Sequence, residues 1–495
     1  MHNIKARGLR AWLLAKLGKE KAAARMLEDN LELDPFDFVS GFEAIKAEND
    51  SEKKQKMLDD LNGLMRNFQE NYLMTARDFA QWGVYEDAVL VLKQCTKKYP
   101  MLYYYAAYYE EKMGEDDAAK KSLEKAESCA FDYCFPNKLD DIAVLTFAIE
   151  NGCKKKAPYY LGNLFYDKLQ WKKSVELWEM SEKADDTFSI VHRNLALAYY
   201  NKMGDSKAAK RELEKAFSLN RKDARIFLEL DQLYKKLGYS FKERLAKYDE
   251  DPSLAESRDD LYIEYITLMN MCGEYERAYR CIMGRRFHPW EGGEGKITTQ
   301  YTISLLEMAK QCLASEKYEQ AEKLLKKALV YPENLGEGKL EGTKDNHLFY
   351  HLGLALEAQG KHDEAKTCFE TATIGTDEPA GAMYYNDQPA DMILYQGLAF
   401  EKLGKTREAK SRFYRLIDYG EQHLNDEGKI EYFAVSLPDF LIFDEDYTKK
   451  NRAHCCYLMA LGNIGLQNRE KAAEFLNEAL EIEPSHMMAT LYQKQ

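Results

Sequence analysis

Two stretches of this 495-residue chain hold side chains whose types and spacing could do chemistry: FHPWEGGEGK at 287–296 and YPENLGEGKL at 331–340. In the first, Pro289 lacks the backbone donor a helix needs, and Gly292, Gly293 and Gly295 permit positive φ. The composition predicts a tight, shaped loop. It carries two carboxylates (Glu291 and Glu294), a histidine able to titrate near neutrality (His288), a cation (Lys296) and an aromatic plate (Trp290). The second stretch repeats the GEGK tetrad with Glu337 and Lys339. Glutamates facing each other beside a tryptophan are what a sugar site uses, carboxylates for acid and base work and an aromatic face for stacking. Glu291, Glu294 and Glu337 are therefore the candidate catalytic residues. The plainer reading is a solvated or docking surface with no catalysis, because polar Gly-rich loops commonly serve recognition. That reading makes His288, Trp290, Glu291, Glu294, Lys296, Glu337 and Lys339 partner-binding residues.

Other chemistries fail on spacing. A phosphate-binding GxxxxGK[ST] loop would need Gly where Trp290 stands and Ser or Thr where Ile297 stands. His347 and His351, four apart with Asp345 and His362 near them, have a chelating spacing but lack the glutamate of an HExxH pattern. They are expected to be packing histidines, with no metal site and no cofactor.

The elements that position these loops come from the rest of the chain. Asp and Glu total 83 against 70 Lys and Arg, a formal charge of −13 that repels phosphate backbones, which excludes nucleic acid as the expected partner. No apolar run is long enough for a membrane span, and MHNIKARGLRAWLLAKLGK breaks its apolar positions with charge. Cys95, Cys272, Cys312 and Cys368 sit among apolar helix positions without disulfide or CxxC spacing, and Cys455 and Cys456 read as small core residues. These features predict a cytoplasmic chain.

GVYEDAVLVLKQCTKKYP (83–100), EKYEQAEKLLKKALVYP (316–332), GKHDEAKTCFETA (360–372), GKTREAKSRFYRL (404–416) and QNREKAAEFLNEALEIEP (467–484) resemble one another. Each follows a segment such as FYHLGLALEAQG (349–360), in which apolar residues recur at helical spacing and a Gly or polar turn ends the run. The unit is a helix, a short turn and a second helix. It resembles the tetratricopeptide repeat, of about 34 residues, with small residues where helices cross and large ones beside them. In the unit starting at Asn346 those places are Leu352, Gly353, Leu356, Ala365, Phe369 and Ala372. The pattern predicts units near 4–37, 69–100, 100–133, 155–187, 189–223, 224–250, 259–285, 302–335, 346–379, 390–423 and 453–486, with the signature weakest over 224–258. Adjacent repeats set equivalent loops side by side, so the two GEGK loops are expected to meet. SHMMATLYQKQ suits a closing helix, whereas the start carries no capping pattern, from which a preceding segment is expected.

The resemblance implies further sites. Tyr104 and Tyr108, from LYYYAAYYEEKMG, fall where tetratricopeptide arrays face their concave groove. Asn163, Asn194 and Arg225 match three places of the clamp with which some tetratricopeptide cochaperones hold a partner's C-terminal carboxylate, although Tyr159 and Glu229 stand where two cations would be. FHPWEGGEGK, YPENLGEGKL, SLPDFLIFDEDYTKKNRAHCCYL (436–458) and, more weakly, LDPFDF (33–38) resemble a bacterial family that joins a β-sandwich-like domain of unknown function to a tetratricopeptide array. That resemblance implies a separately encoded β-sandwich partner, and it places the acidic FDEDY segment near the Trp290 loop.

The expectation is an all-α, right-handed α-solenoid of tandem helix-turn-helix repeats. Its N-terminal repeats span 1–250, and C-terminal repeats span 251–495 with irregular loops at 284–301, 331–345 and 424–452. The expected function is a protein-binding scaffold, and the alternative is part of a carbohydrate-processing enzyme. No cofactor, nucleic acid or membrane is expected.

Overall fold

A computed structural model describes residues 3–290, 292–379, 388–428 and 442–494. Among them are 27 α-helices and no strand, and they form two compact units, one ending at Ala198 and the other starting at Tyr199. No helix among the described residues is long and apolar enough to cross a membrane.

The repeat at Asn346–Ala358 and His362–Ala372 shows why this sequence pairs its helices. Gly353 sits where a Cβ would lie 2.5 Å from the Phe369 ring, so the absent side chain is the space that Phe369 fills. Leu352, Leu356, Ala365, Phe369 and Ala372 are all buried around that contact. The first helix stops because Gly360 takes φ +76°, a left-handed turn that costs glycine little, and the Lys361 N–H then returns to the Leu356 carbonyl at 3.0 Å. The same small-against-large contact recurs where Gly397 meets Phe413 and, in the first unit, where Gly162 meets Trp178. Each of the eleven stretches expected to be a repeat contains a pair of helices.

In the first unit an additional pair, Phe38–Ala47 and Ser51–Met65, and a single helix, Leu139–Glu150, join the predicted hairpins. Their patterns escape the repeat signature: Gly41 lies against Leu61, but the turn and spacing differ from the neighbouring units.

The second unit holds the degenerate stretch 224–258 inside it. There Arg244, 1% exposed, donates to both carboxylate oxygens of Asp231 at 2.8 and 2.7 Å, and the Tyr248 hydroxyl donates to Asp231 at 3.0 Å. A polar cluster replaces the apolar second-helix signature, which is why the repeat reads weakly there. This unit also turns back on itself. The closing helix Met487–Gln493 buries Leu491 against Met271 and Ile303, and its Tyr492 hydroxyl donates to Tyr395 at 2.7 Å. The acidic segment expected near the Trp290 loop packs instead on the unit's opening helices. Phe443 is buried with its ring 5.0 Å from Tyr200, Asn201 donates to the Ile442 carbonyl at 2.8 Å, and Lys236 pairs with Glu445. Phe443 needs an apolar socket, which the hairpin beginning at 199 supplies. Residues 436–441 of that stretch lie outside the described residues.

Candidate functional site

The first GEGK loop joins the helices Tyr275–Met283 and Lys296–Ala314, and the second joins Tyr318–Ala328 and Asn346–Ala358. Each sinks one apolar plug: Phe287 is 2% exposed and Leu335 fully buried. Between the plugs the backbones bond directly, the Phe287 N–H to the Asn334 carbonyl at 2.8 Å. The Asn334 side-chain amide donates to the Ile282 and Arg285 carbonyls at 2.8 and 3.0 Å. Gly336 (φ +74°) allows this approach, because a Cβ there would stand 2.5 Å from the Phe287 carbonyl oxygen. The loops meet as one hydrogen-bonded body.

Within it, Glu294 accepts the Gly292 N–H at 2.8 Å, and Glu337 reaches across to accept the N–H of Gly295 at 2.8 Å. Gly295 opens the helix Lys296–Ala314, so Glu337 places negative charge at a helix N-terminus. Burial pushes the Glu337 carboxyl up, the Gly295 N–H pulls it down, and neighbouring Glu294 pushes it up again. The Trp290 ring lies on Gly293, with the Lys296 ammonium 5.7 Å from the ring centre. Lys339 is turned into its own loop, donating to the Leu329 carbonyl at 3.0 Å and pairing with Asp345 at 2.6 Å. It is a strut of the second loop. Glu291 lies outside the described residues.

His288 marks the outer edge. Its backbone N–H donates to Asp259 at 2.8 Å, its ring Nδ1 stands 3.2 Å from the same oxygen, and its side chain is 77% exposed. Asp259 also pairs with Arg285, and Arg258 grips Asp260 through two bonds of 3.0 and 2.6 Å. These five residues and Trp290 line an open depression of about 490 Å³. Arg258, Asp259, Asp260, Arg285 and Asn334 went unrecognised in the sequence. The signals were there in SRDD (257–260) and in the two arginines before FHPW, but SRDD falls at the edge of the weak stretch 224–258 and the arginines at the end of the predicted unit 259–285.

Models of the tetratricopeptide repeat match residues 194–223, 347–373, 391–419 and 453–486. The chain carries a tetratricopeptide-repeat array. Among solved structures it is similar to yeast Tom70, 11% identical over 99% of this chain and 94% of that one, with a TM-score of 0.29. It is also similar to a tetratricopeptide repeat protein from Parabacteroides merdae, 18% identical over 58% of this chain and 98% of that one, with a TM-score of 0.25. The repeat assignment rests on the family matches together with the helix pairs.

Within the array, the sites expected from the family's groove fare unequally. Tyr104 is fully buried, its hydroxyl donating to Glu127 at 2.5 Å, so it packs between helices and offers no groove surface. The reason is periodicity: in five tyrosines on one helix, successive residues turn inward, and Tyr104 and Tyr105 do so. Tyr108 is partly exposed, edge-on to Phe147 at 5.5 Å under Lys112. Asn163 and Asn194 do come together, 3.0 Å apart, but Asn163 also accepts from the Trp178 indole at 3.1 Å. Arg225, in the second unit, is held by Glu229 at 3.0 Å. His347 and His351 pack between repeats against Tyr395, where burial lowers both to about 3.

Proposed function

We propose that this array is a protein-binding scaffold and that its docking surface in the second unit is the interlocked pair of GEGK loops. The observation that carries this reading is how the polar groups are used. Glu294 and Glu337 each accept a backbone N–H of the loops, and Lys339 is tied to Asp345, while His288 stands out into solvent beside Trp290 and an open depression. Buried bonds build the shape and the exposed rim meets the partner. An open face of this kind suits a domain surface better than a small molecule, which pockets enclose. The resemblance of the loop sequences to the bacterial family makes a β-sandwich-type domain the partner we propose.

The test is affinity capture by the tagged chain from the cells that produce it, with a parallel bait in which His288 and Trp290 are alanine. A stoichiometric partner captured by the first bait and lost from the second is the expected result. Capture unchanged by the double substitution would overturn the assignment of this surface.

A second reading draws on the raised Glu337 carboxyl next to Glu294 and Trp290, a pairing that suits part of a carbohydrate-processing site. It requires that Glu337→Gln abolish glycoside cleavage by the complex while assembly persists. Loss of neither would leave docking as the role of the loops.

A further inference from the structure

The closing helix Met487–Gln493 has seven residues, too few for a helix to persist alone, so it depends on its socket and its cap. The socket is built from the first helices of four repeats of the second unit. Leu491 meets Met271 of Asp259–Cys272 and Ile303 of Lys296–Ala314. The Tyr492 hydroxyl donates to Tyr395 of Met392–Lys402 at 2.7 Å, and its ring lies 6.0 Å from that of Tyr457 on Tyr447–Gly465. Lys494, just beyond the helix, donates to the Met271 carbonyl. The helix therefore braces repeats that lie far apart in sequence, and its departure uncovers apolar side chains on all four.

The cap is a histidine. His486 directly precedes the helix, and its Nδ1 accepts the Ala489 N–H at 3.1 Å. A backbone N–H only donates, so this bond requires Nδ1 to carry no proton. Serine, threonine or asparagine in that place accepts whatever the pH, whereas histidine accepts only while neutral. A proton on Nδ1 sets two donors against each other and puts positive charge at the positive end of the helix. The ring is packed 4.9 Å from that of Tyr457, and burial holds it down to about 4 against an ordinary 6.5. The titratable groups around it act in both directions. Burial and the neighbouring His486 lower His454 to about 4, and Glu483, which ends the preceding helix, opposes that shift. Asp391, which acts on Tyr457 and Tyr492, is raised to about 6 by burial and so favours the closed helix as pH falls.

We propose that the closing helix is an acid-sensitive latch: proton binding at His486 Nδ1 removes its cap, and the helix leaves the face that the first helices of the second unit build. Because the closed helix holds His486 neutral, the latch is fully set above pH 6.5 and loosens as pH falls toward 4. For His486 alone the opening equilibrium rises about 25-fold between pH 7.5 and pH 5. Release of His454 adds to that rise, and release of Asp391 subtracts from it.

The experiment is hydrogen exchange of the full chain, followed by mass spectrometry at pH 7.5 and pH 5 and corrected for the intrinsic pH dependence of exchange. It reads the amides of 489–493 against those of 346–372. At pH 7.5 the helix amides should be the less protected, since the helix leaves without the repeat opening. His486→Asn keeps a side-chain acceptor for the Ala489 N–H and does not titrate. His454, Asp391, His347 and His351 are the same in both chains, so the fall in protection of 489–493 between the two pH values should be about 25-fold smaller in the variant. Tyr492→Phe removes the bond to Tyr395 and leaves the cap, so it should lower protection by the same factor at both pH values. An equal fall in the unaltered and His486→Asn chains overturns the proposal, as does a His486→Asn helix already unprotected at pH 7.5. So do equal protection of 489–493 and 346–372 in the unaltered chain at pH 7.5 and loss of the pH dependence in Tyr492→Phe.

Discussion

The repeat at 346–372 and the loop pair around 287–296 and 333–339 lie next to each other in the second unit and are held together by opposite means. The repeat is held by volume: Gly353 vacates the space that Phe369 occupies, with apolar residues closed around it. The loop pair is held by direction: Asn334, Glu294 and Glu337 each satisfy named backbone groups, with Phe287 and Leu335 as apolar anchors. Packing by volume tolerates many surface sequences and repeats along the chain. Packing by directed bonds specifies one shape, which is what a recognition surface needs.

The largest loss is expected at the repeat. Phe369→Ala empties the space beside Gly353 and should cost about 3–5 kcal/mol, read as a lowered urea midpoint of the full chain. A loss under about 1 kcal/mol would mean that the contact with Gly353 does not hold the repeat together.

Acid separates the two regions next. His347 and His351 have folded values of about 3 against an ordinary 6.5, so their contribution is intact above pH 6.5 and is lost as pH falls toward 3. Between pH 6.5 and 5 the loss is on the order of 3 kcal/mol for the pair. Burial moves Asp391 the other way, to about 6, so its contribution is present below its ordinary 3.8 and is lost as pH rises through 6, which offsets part of the histidine effect. The raised Glu337 carboxyl has the same sign as Asp391. Proteolysis mapped at pH 7 and pH 5 should therefore open 346–372 before the loop pair, and His347→Gln with His351→Gln should flatten the dependence.

Removing Glu337 tests the loops directly. Glu337→Ala leaves the Gly295 N–H without its acceptor and should cost about 1–3 kcal/mol, with cleavage appearing in 287–296, whereas Glu337→Gln keeps an acceptor and most of the stability. Equal behaviour of the two variants would show that the bond does not hold the loop. The smallest effect is expected at the rim: His288→Ala should change stability by less than about 0.5 kcal/mol, since the side chain is largely exposed. Its consequence belongs to partner capture.

The eleven helix pairs were legible because each repeat restates one rule, small against large at helical spacing, so a weak signal is read many times over. Where the rule lapsed, so did legibility. Arg244 and Asp231 look like surface charges in the bare sequence and form the centre of a repeat in space. The GEGK loops were recognisable as shaped interruptions, and their meeting followed from repeat adjacency. The partners that shape them, Asn334, Asp259 and Arg285, were not recognisable, since a polar residue acquires its meaning from whatever faces it. Tyr104 shows the converse error, a position assigned to a groove by family analogy and turned inward by its own helix.

By itself the sequence determined the array: the period, the helix pairs and the glycine positions where large rings enter are local properties written at every turn of helix. Only the tertiary structure decided which charges become struts and which remain at a surface. Hydrogen bonds and ion pairs join residues tens of positions apart, such as Gly295 with Glu337 and Phe287 with Asn334, and no local pattern carries that pairing.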